Sequence, residues 1–457
     1  MTEQLRRKLS DLPVVRWTAL LIVAFTMMMG YYITYQMSPL ESLLESPVAS
    51  GGMNWTSTEY GFFSGSYGFI NVFLLMLFFG GLILDKMGVR FTGILACTLM
   101  VAGVLMMYYA VTFITPDAAT HVNLPLLGLP DMMLKRQVIY SALGFAVFGV
   151  GNEMCGITVS KVMVKWFTGH EMALAMGIQV GLARLGTGAA MSVSLPLALR
   201  HSLSAPLLLS FVLISAALLF YIVYCVMDRR LEKSAPATVQ QGTDDDESFR
   251  FSDILVTIKS PGFWLVTLLC LLFYSAMNPF FNFAPKLMIV KYGISESLAG
   301  LIPAIIPFGS IVLTPLFGTI YDRRGFGATL IIIGTLLMAV VHFVFSLPLH
   351  SSLLAVSMMV ILGLAFSLVP SALWPSVPKI IPLRRLGTAY GMIFFIQNIG
   401  LMAVRMLIGR VNETDPSYTR SMTIFALFGA AAFISALLLY ATDKRKKYGL
   451  QKPNIQE

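Results

Sequence analysis

Apolar runs of roughly 20 residues or more alternate with short polar turns along most of the chain, each long enough to cross a hydrocarbon core of about 30 Å as a helix. The pattern predicts twelve membrane helices, over 15–38, 58–84, 91–114, 137–163, 171–199, 203–227, 262–284, 296–320, 327–348, 351–378, 386–409 and 419–441. A polar stretch from Asp228 to Asp253, containing Gln240, Gln241 and the acidic run Asp244 to Glu247, separates the sixth from the seventh. Its composition is that of a linker. The expected organisation is a six-helix half over 1–227, a cytoplasmic linker over 228–253 and a second six-helix half over 254–457.

Composition supports this reading. The chain is 57% hydrophobic and 12% charged over 457 residues, more apolar surface than a soluble domain could bury. The first apolar run has no small-residue cleavage site, so it reads as a helix and not a signal peptide. The net charge of +9 could point to nucleic acid, but its distribution does not. With both termini cytoplasmic, about 23 Lys and Arg fall inside and about 7 outside. That asymmetry is the positive-inside pattern of a lipid-embedded protein. The four cysteines each fall in an apolar run, at spacings that match no metal motif and no disulfide framework. We expect no cofactor, no metal and no catalytic triad or phosphate cradle, hence no enzyme.

The two halves repeat. Gly81, Asp85 and Gly88 in the first stand in the same order and spacing as Gly318, Asp322 and Gly325 in the second, 237 residues on. A weaker echo pairs Ala175-Met176-Gly177 and Gly186 with Ala389-Tyr390-Gly391 and Gly400, 214 residues on. A long outer loop, Pro116 to Arg136, in the first half alone accounts for the difference. The repeated Gly-x-x-x-Asp-(Arg/Lys)-x-Gly loop resembles the signature of the major facilitator superfamily, whose two halves are parallel repeats. The resemblance implies an all-α membrane protein of twelve helices in two pseudo-symmetric halves. It also gives the loop residues a gating role, Asp85 with Arg90 and Asp322 with Arg323, bracing the halves when the cytoplasmic side is closed.

Charges inside the spans direct attention to a site. Glu153 is the one carboxylate deep within a predicted helix, and the next helix carries Arg184. Glu153 lies about 18 Å of helix before the turn near Lys165, and Arg184 about 21 Å after it. The two therefore share one depth on neighbouring helices. Intramembrane charges are costly and usually face a cavity or a substrate. A salt bridge joining the two helices is the structural alternative, though a buried pair stabilises little once desolvation is counted. One carboxylate and one guanidinium suit a zwitterion, with ammonium on Glu153 and a carboxylate in the Arg184 fork. Tyr32, Tyr67, Asn71, Asn278, Gln397, Asn398 and Trp374 are further candidates for the lining, and Asn398 occupies the repeat position of Arg184. Arg405, late in the eleventh span, is expected near the outer surface.

Three stretches narrow the resemblance: Lys165-Trp166-Phe167-Thr168-Gly169-His170-Glu171, Gly177 to Gly186 around Arg184, and Ser371 to Pro378 around Trp374, with Gln397-Asn398 beyond. They resemble the dipeptide-transporting branch of the superfamily, which has lysosomal and prokaryotic members. The resemblance implies uniport or proton-coupled alternating access for dipeptides or similar zwitterions, with Glu153, Arg184 and Trp374 at the pocket. The expected partners are a dipeptide-like small molecule and the lipid bilayer, and the expected state is a monomer. The short N-terminus shows no acidic dileucine sorting signal, which favours a cell inner membrane. A drug or sugar exporter, and a transporter-like sensor, remain as alternatives.

Overall fold

The computed structural model describes residues 12–124, 129–167, 171–234, 257–382 and 385–454. Its helices are α1 (Pro13–Tyr35), α2 (Glu41–Glu45), α3 (Ser57–Gly65), α4 (Phe69–Phe73), α5 (Met76–Phe113), α6 (Arg136–Phe167), α7 (Met172–Arg200) and α8 (Ala205–Ser234). After the linker come α9 (Pro261–Tyr292), α10 (Glu296–Ala299), α11 (Leu301–Arg324), α12 (Gly327–Ser346), α13 (Ser352–Ile380), α14 (Leu386–Thr414) and α15 (Thr419–Lys446). Among the described residues, eleven helical segments are long and apolar enough to cross a membrane. Chain breaks are set by local chemistry. Ser260 caps α9 by accepting from the Phe263 amide, and Gly293 closes it in the left-handed region at φ +62°.

The second predicted span departs from one straight helix. It runs as α3, a 3-10 turn over Ser66–Gly68 and α4, then breaks at Leu75, φ +51°, before α5 begins. Ser66 Oγ bonds both Phe63 O and Ala142 O, giving the turn a side-chain anchor on α6. No breaker residue marks Leu75, so an apolar pattern could not place the interruption. The predicted gap between spans two and three is a sharp kink at Gly88, φ +74°, inside α5.

The linker expected to start at Asp228 begins later, because α8 continues to Ser234; residues 235–253 lie outside the described residues. The loop 116–136 holds a two-stranded antiparallel hairpin, β1 (Ala119–Leu124) with β2 (Leu129–Lys135), a local addition to the all-α membrane fold. Thr168, Gly169 and His170 of the sequence motif lie outside the described residues.

The halves meet at the end away from the chain termini. There α3 crosses α14 with backbone on backbone: a Cβ on Gly61 would lie 2.7 Å from Gly409 Cα. α7 meets α11 where Gly188 makes room for a ring: an added Cβ would fall 2.4 Å from the Phe308 ring. At the α3–α14 crossing the small residues let the helices approach without side chains between them. At the terminal end the repeat glycines Gly81, Gly177 and Gly318 have open space, with nothing within 4 Å of an added Cβ. The two halves therefore pack most tightly at the end away from the chain termini.

Candidate functional site

A cavity of about 460 Å³ lies between the halves, within the usual size of a small-molecule pocket. Helical spacing builds its walls. Along α14, Phe394, Gln397, Asn398, Leu401 and Arg405 recur every three to four residues and so share one face. Ala183 and Arg184 follow Gln179 and Val180 by one turn on α7, and Asn278 follows Tyr274 by one turn on α9. Trp374 follows Pro370 on α13, a helix that also contains Pro375 and Pro378.

Glu153 and Arg184 both line this cavity, and no ion pair joins them. Glu153 is held by Tyr67, whose hydroxyl donates to Oε1 at 2.9 Å. Asn152 Nδ2 donates in turn to the Tyr67 hydroxyl at 2.9 Å. The carboxylate is thereby aimed by two neighbours while its other oxygen stays available. Arg184 carries its guanidinium 4.4 Å from the Phe366 ring centroid, a cation–π contact that leaves its N–H fork without a carboxylate.

Aromatic groups form the opposite wall. Trp374 Nε1 donates to Tyr274 OH at 2.9 Å, and its ring lies 5.1 Å from Phe394 and 6.0 Å from Tyr390. Gln397 accepts from Cys270 Sγ at 3.0 Å. Asn398 is 3% exposed and donates to Phe394 O, while its Oδ1 has no hydrogen-bond partner. A buried carbonyl oxygen left unsatisfied on a cavity wall costs free energy unless a ligand donor meets it.

Of the other lining candidates, Tyr67 and Asn278 reach the cavity, and Tyr32 and Asn71 do not. Tyr31 and Tyr35, one turn apart, take the cavity face of α1, which turns Tyr32 about 100° away into the protein, where it is buried. Asn71 is buried on α4 and bonds back to Tyr67 O at 3.4 Å. Asn152, Gln179, Tyr274 and Phe394 were not anticipated. The last two sit four residues before Asn278 and Asn398, so extending each candidate by one helical turn finds them.

Arg405 is the main correction. It is buried and lines the cavity, donating from Nε to Asn282 Oδ1 at 3.0 Å and from Nη1 to Ser64 O at 3.3 Å. The predicted span ended at 409, whereas α14 continues to Thr414. Those nine residues beyond Arg405 add about 13 Å of helix outside it.

The loop charges pair differently from the expected scheme. Asp85 pairs with Lys161 at 3.0 Å, and Arg90 with Asp228 and Glu232. Asp322 accepts from Asn454 Nδ2 at 2.7 Å, while Arg323 is exposed. Arg323 directly follows Asp322, and side chains one apart on a helix do not face each other, whereas Arg90 lies beyond the Gly88 kink and pairs with α8. Among the described residues, no group of three or more His, Cys, Asp or Glu could hold a metal ion.

Two bundles of apolar helices around a central cavity define a membrane transporter, and the chain belongs to the Major Facilitator Superfamily, whose profile matches residues 124–404. Within it, the chain is 28% identical over 311 residues to the lysosomal dipeptide transporter MFSD1 of Bos taurus, covering 66% of this chain and 64% of that protein. It is 26% identical over 337 residues to the Danio rerio protein of the same name, covering 70% of this chain and 72% of that one. The match to the bovine relative thus spans slightly under two thirds of its length. Among solved structures, a bacterial homologue of the human lysosomal transporter Spinster, inward-facing and unoccupied, superposes with a TM-score of 0.71 at 14% identity, covering 95% of this chain and 98% of that one. That likeness concerns the fold. The chain is a multi-pass membrane protein.

Proposed function

We propose that this protein carries dipeptides or similar small zwitterions across the membrane by alternating access. The observation that carries the reading is that Glu153 and Arg184 face one cavity without pairing with each other. Each then presents an unneutralised charge to a substrate, Glu153 to the ammonium and Arg184 to the carboxylate. Opposite charges at two ends favour a molecule longer than one amino acid, and an extended dipeptide spans about 7 Å. Asn398 Oδ1 accepts the peptide N–H, and Trp374 packs on a side chain. The similarity to the MFSD1 lysosomal dipeptide transporters supports the same substrate class.

Residues 1–227 and 254–457 are the two bodies that rock about the site. The transporter works as a monomer with both termini cytoplasmic. Its membrane is the cell inner membrane, and imaging of a tagged protein against inner-membrane and lysosomal markers tests that placement. Uptake of labelled Ala-Ala into proteoliposomes tests the function, with and without a pH gradient to separate uniport from proton coupling. Saturable uptake that Glu153→Gln and Arg184→Gln abolish supports the reading. Stabilisation of the purified protein by sugars alone, with no dipeptide uptake, overturns it.

A further inference from the structure

The cavity's formal charges do not balance. Glu153, Arg184 and Arg405 are its charged lining residues, two guanidiniums against one carboxylate. Neither guanidinium has a carboxylate partner among the described residues: Arg184 rests on Phe366, and Arg405 on Asn282 Oδ1, Ser64 O and the Tyr67 ring, its guanidinium carbon 5.7 Å from the centroid. All of those partners are neutral, so they orient Arg405 without discharging it. Tyr67 also donates to Glu153, which places Arg405 and Glu153 on two sides of one phenol.

A neutral zwitterion satisfies Glu153 and Arg184 and leaves buried Arg405 uncompensated. A zwitterion with one further carboxylate neutralises all three charges. A cationic side chain adds to an existing excess of positive charge. We infer that Arg405 is a specificity-determining residue that makes the site prefer dipeptides with an acidic side chain over neutral ones, and neutral ones over cationic ones. This rests on the dipeptide reading above and deepens it. The physical basis is electrostatic complementarity, in which a like-charge juxtaposition disfavours the wrong partner.

Competition against labelled Ala-Ala uptake at pH 7, where an acidic side chain is ionised, tests the inference with Ala-Glu, Ala-Gln and Ala-Lys as competitors. Ala-Gln matches Ala-Glu in size, so their difference reports charge. The expected order is Ala-Glu, Ala-Gln, Ala-Lys, with about tenfold or more between the ends. Arg405→Gln is expected to collapse that ratio to within about threefold, while Arg405→Lys, which keeps the charge, retains the order. If Arg405→Gln does not fold, the wild-type series and the Arg405→Lys variant decide. Equal inhibition by Ala-Glu and Ala-Lys in the wild type overturns the inference while leaving dipeptide transport standing. Absence of Ala-Ala uptake removes the parent reading, and this one with it.

Discussion

Adding one methyl group at Gly61 should hold the end away from the chain termini, the outer end of the proposed orientation, open. In the closed crossing, a Cβ there would lie 2.7 Å from Gly409 Cα and 2.9 Å from Arg405 O. Both neighbours are backbone atoms, so neither can rotate aside. Ordinary carbon contacts begin near 3.5–4.0 Å, so α3 and α14 must part by about 1 Å. Overpacking of this kind costs about 1–3 kcal/mol. The penalty falls on the outer-closed state alone, since the crossing separates when that end opens. It therefore shifts the closed-to-open equilibrium by about 5- to 150-fold. Spin labels on Ser50→Cys and Arg410→Cys, both exposed at that end, read the change as a distance distribution. The four native cysteines are buried, which limits background labelling. Gly61→Ala is expected to move population to longer distances and slow uptake. Gly177→Ala, at a position with open space around it, is expected to leave the outer-end distances unchanged. An unaltered distribution in Gly61→Ala, with wild-type uptake, would show that this crossing does not limit closure.

Other perturbations have equally definite outcomes. Tyr67→Phe deletes the hydroxyl that donates to Glu153, a bond to a charged group of about 1.5–3 kcal/mol. Its half-saturation concentration for Ala-Ala should rise about tenfold or more, with the folded yield unchanged, as read by uptake kinetics and gel filtration. Trp374→Ala removes the ring packed at a tilt against Tyr274, Tyr390 and Phe394, and should weaken dipeptides with large side chains more than Ala-Ala. A competition series grading side-chain size measures this. Lys286→Gln leaves fully buried Glu41 without the cation 3.5 Å away and also strips Glu45 of its partner. Breaking such a buried pair costs roughly 3–5 kcal/mol, read as a lower melting temperature in detergent.

The sequence made the helices legible because a bilayer demands long apolar runs whose backbone groups bond internally. The depth of Glu153 and Arg184 was legible for the same reason, since helical rise converts residue number into distance. Facing was harder. Tyr31, Tyr32 and Tyr35 are equally plausible on span one, and helix rotation, fixed by packing against other helices, decides among them. Arg405 was misplaced because a span's end was read from hydropathy, while α14 extends through the polar run Arg410 to Thr414. Ion pairs such as Asp85 with Lys161 join residues 76 apart in sequence, which no local pattern encodes. The break at Leu75 and the 119–135 hairpin likewise follow tertiary surroundings. Glu59 illustrates this: it caps α3 through Thr56 and also holds Lys135 at the end of β2.

The account turns on Glu153 receiving the substrate ammonium. Competition by Ala-Ala and N-acetyl-Ala-Ala, compared in wild type and Glu153→Gln, tests it most directly. Acetylation removes the ammonium from the ligand, and the substitution removes its proposed partner, so the two losses should not add. The prediction is a tenfold or greater penalty for acetylation in the wild type and almost none in Glu153→Gln. A penalty of equal size in both proteins would contradict the assignment.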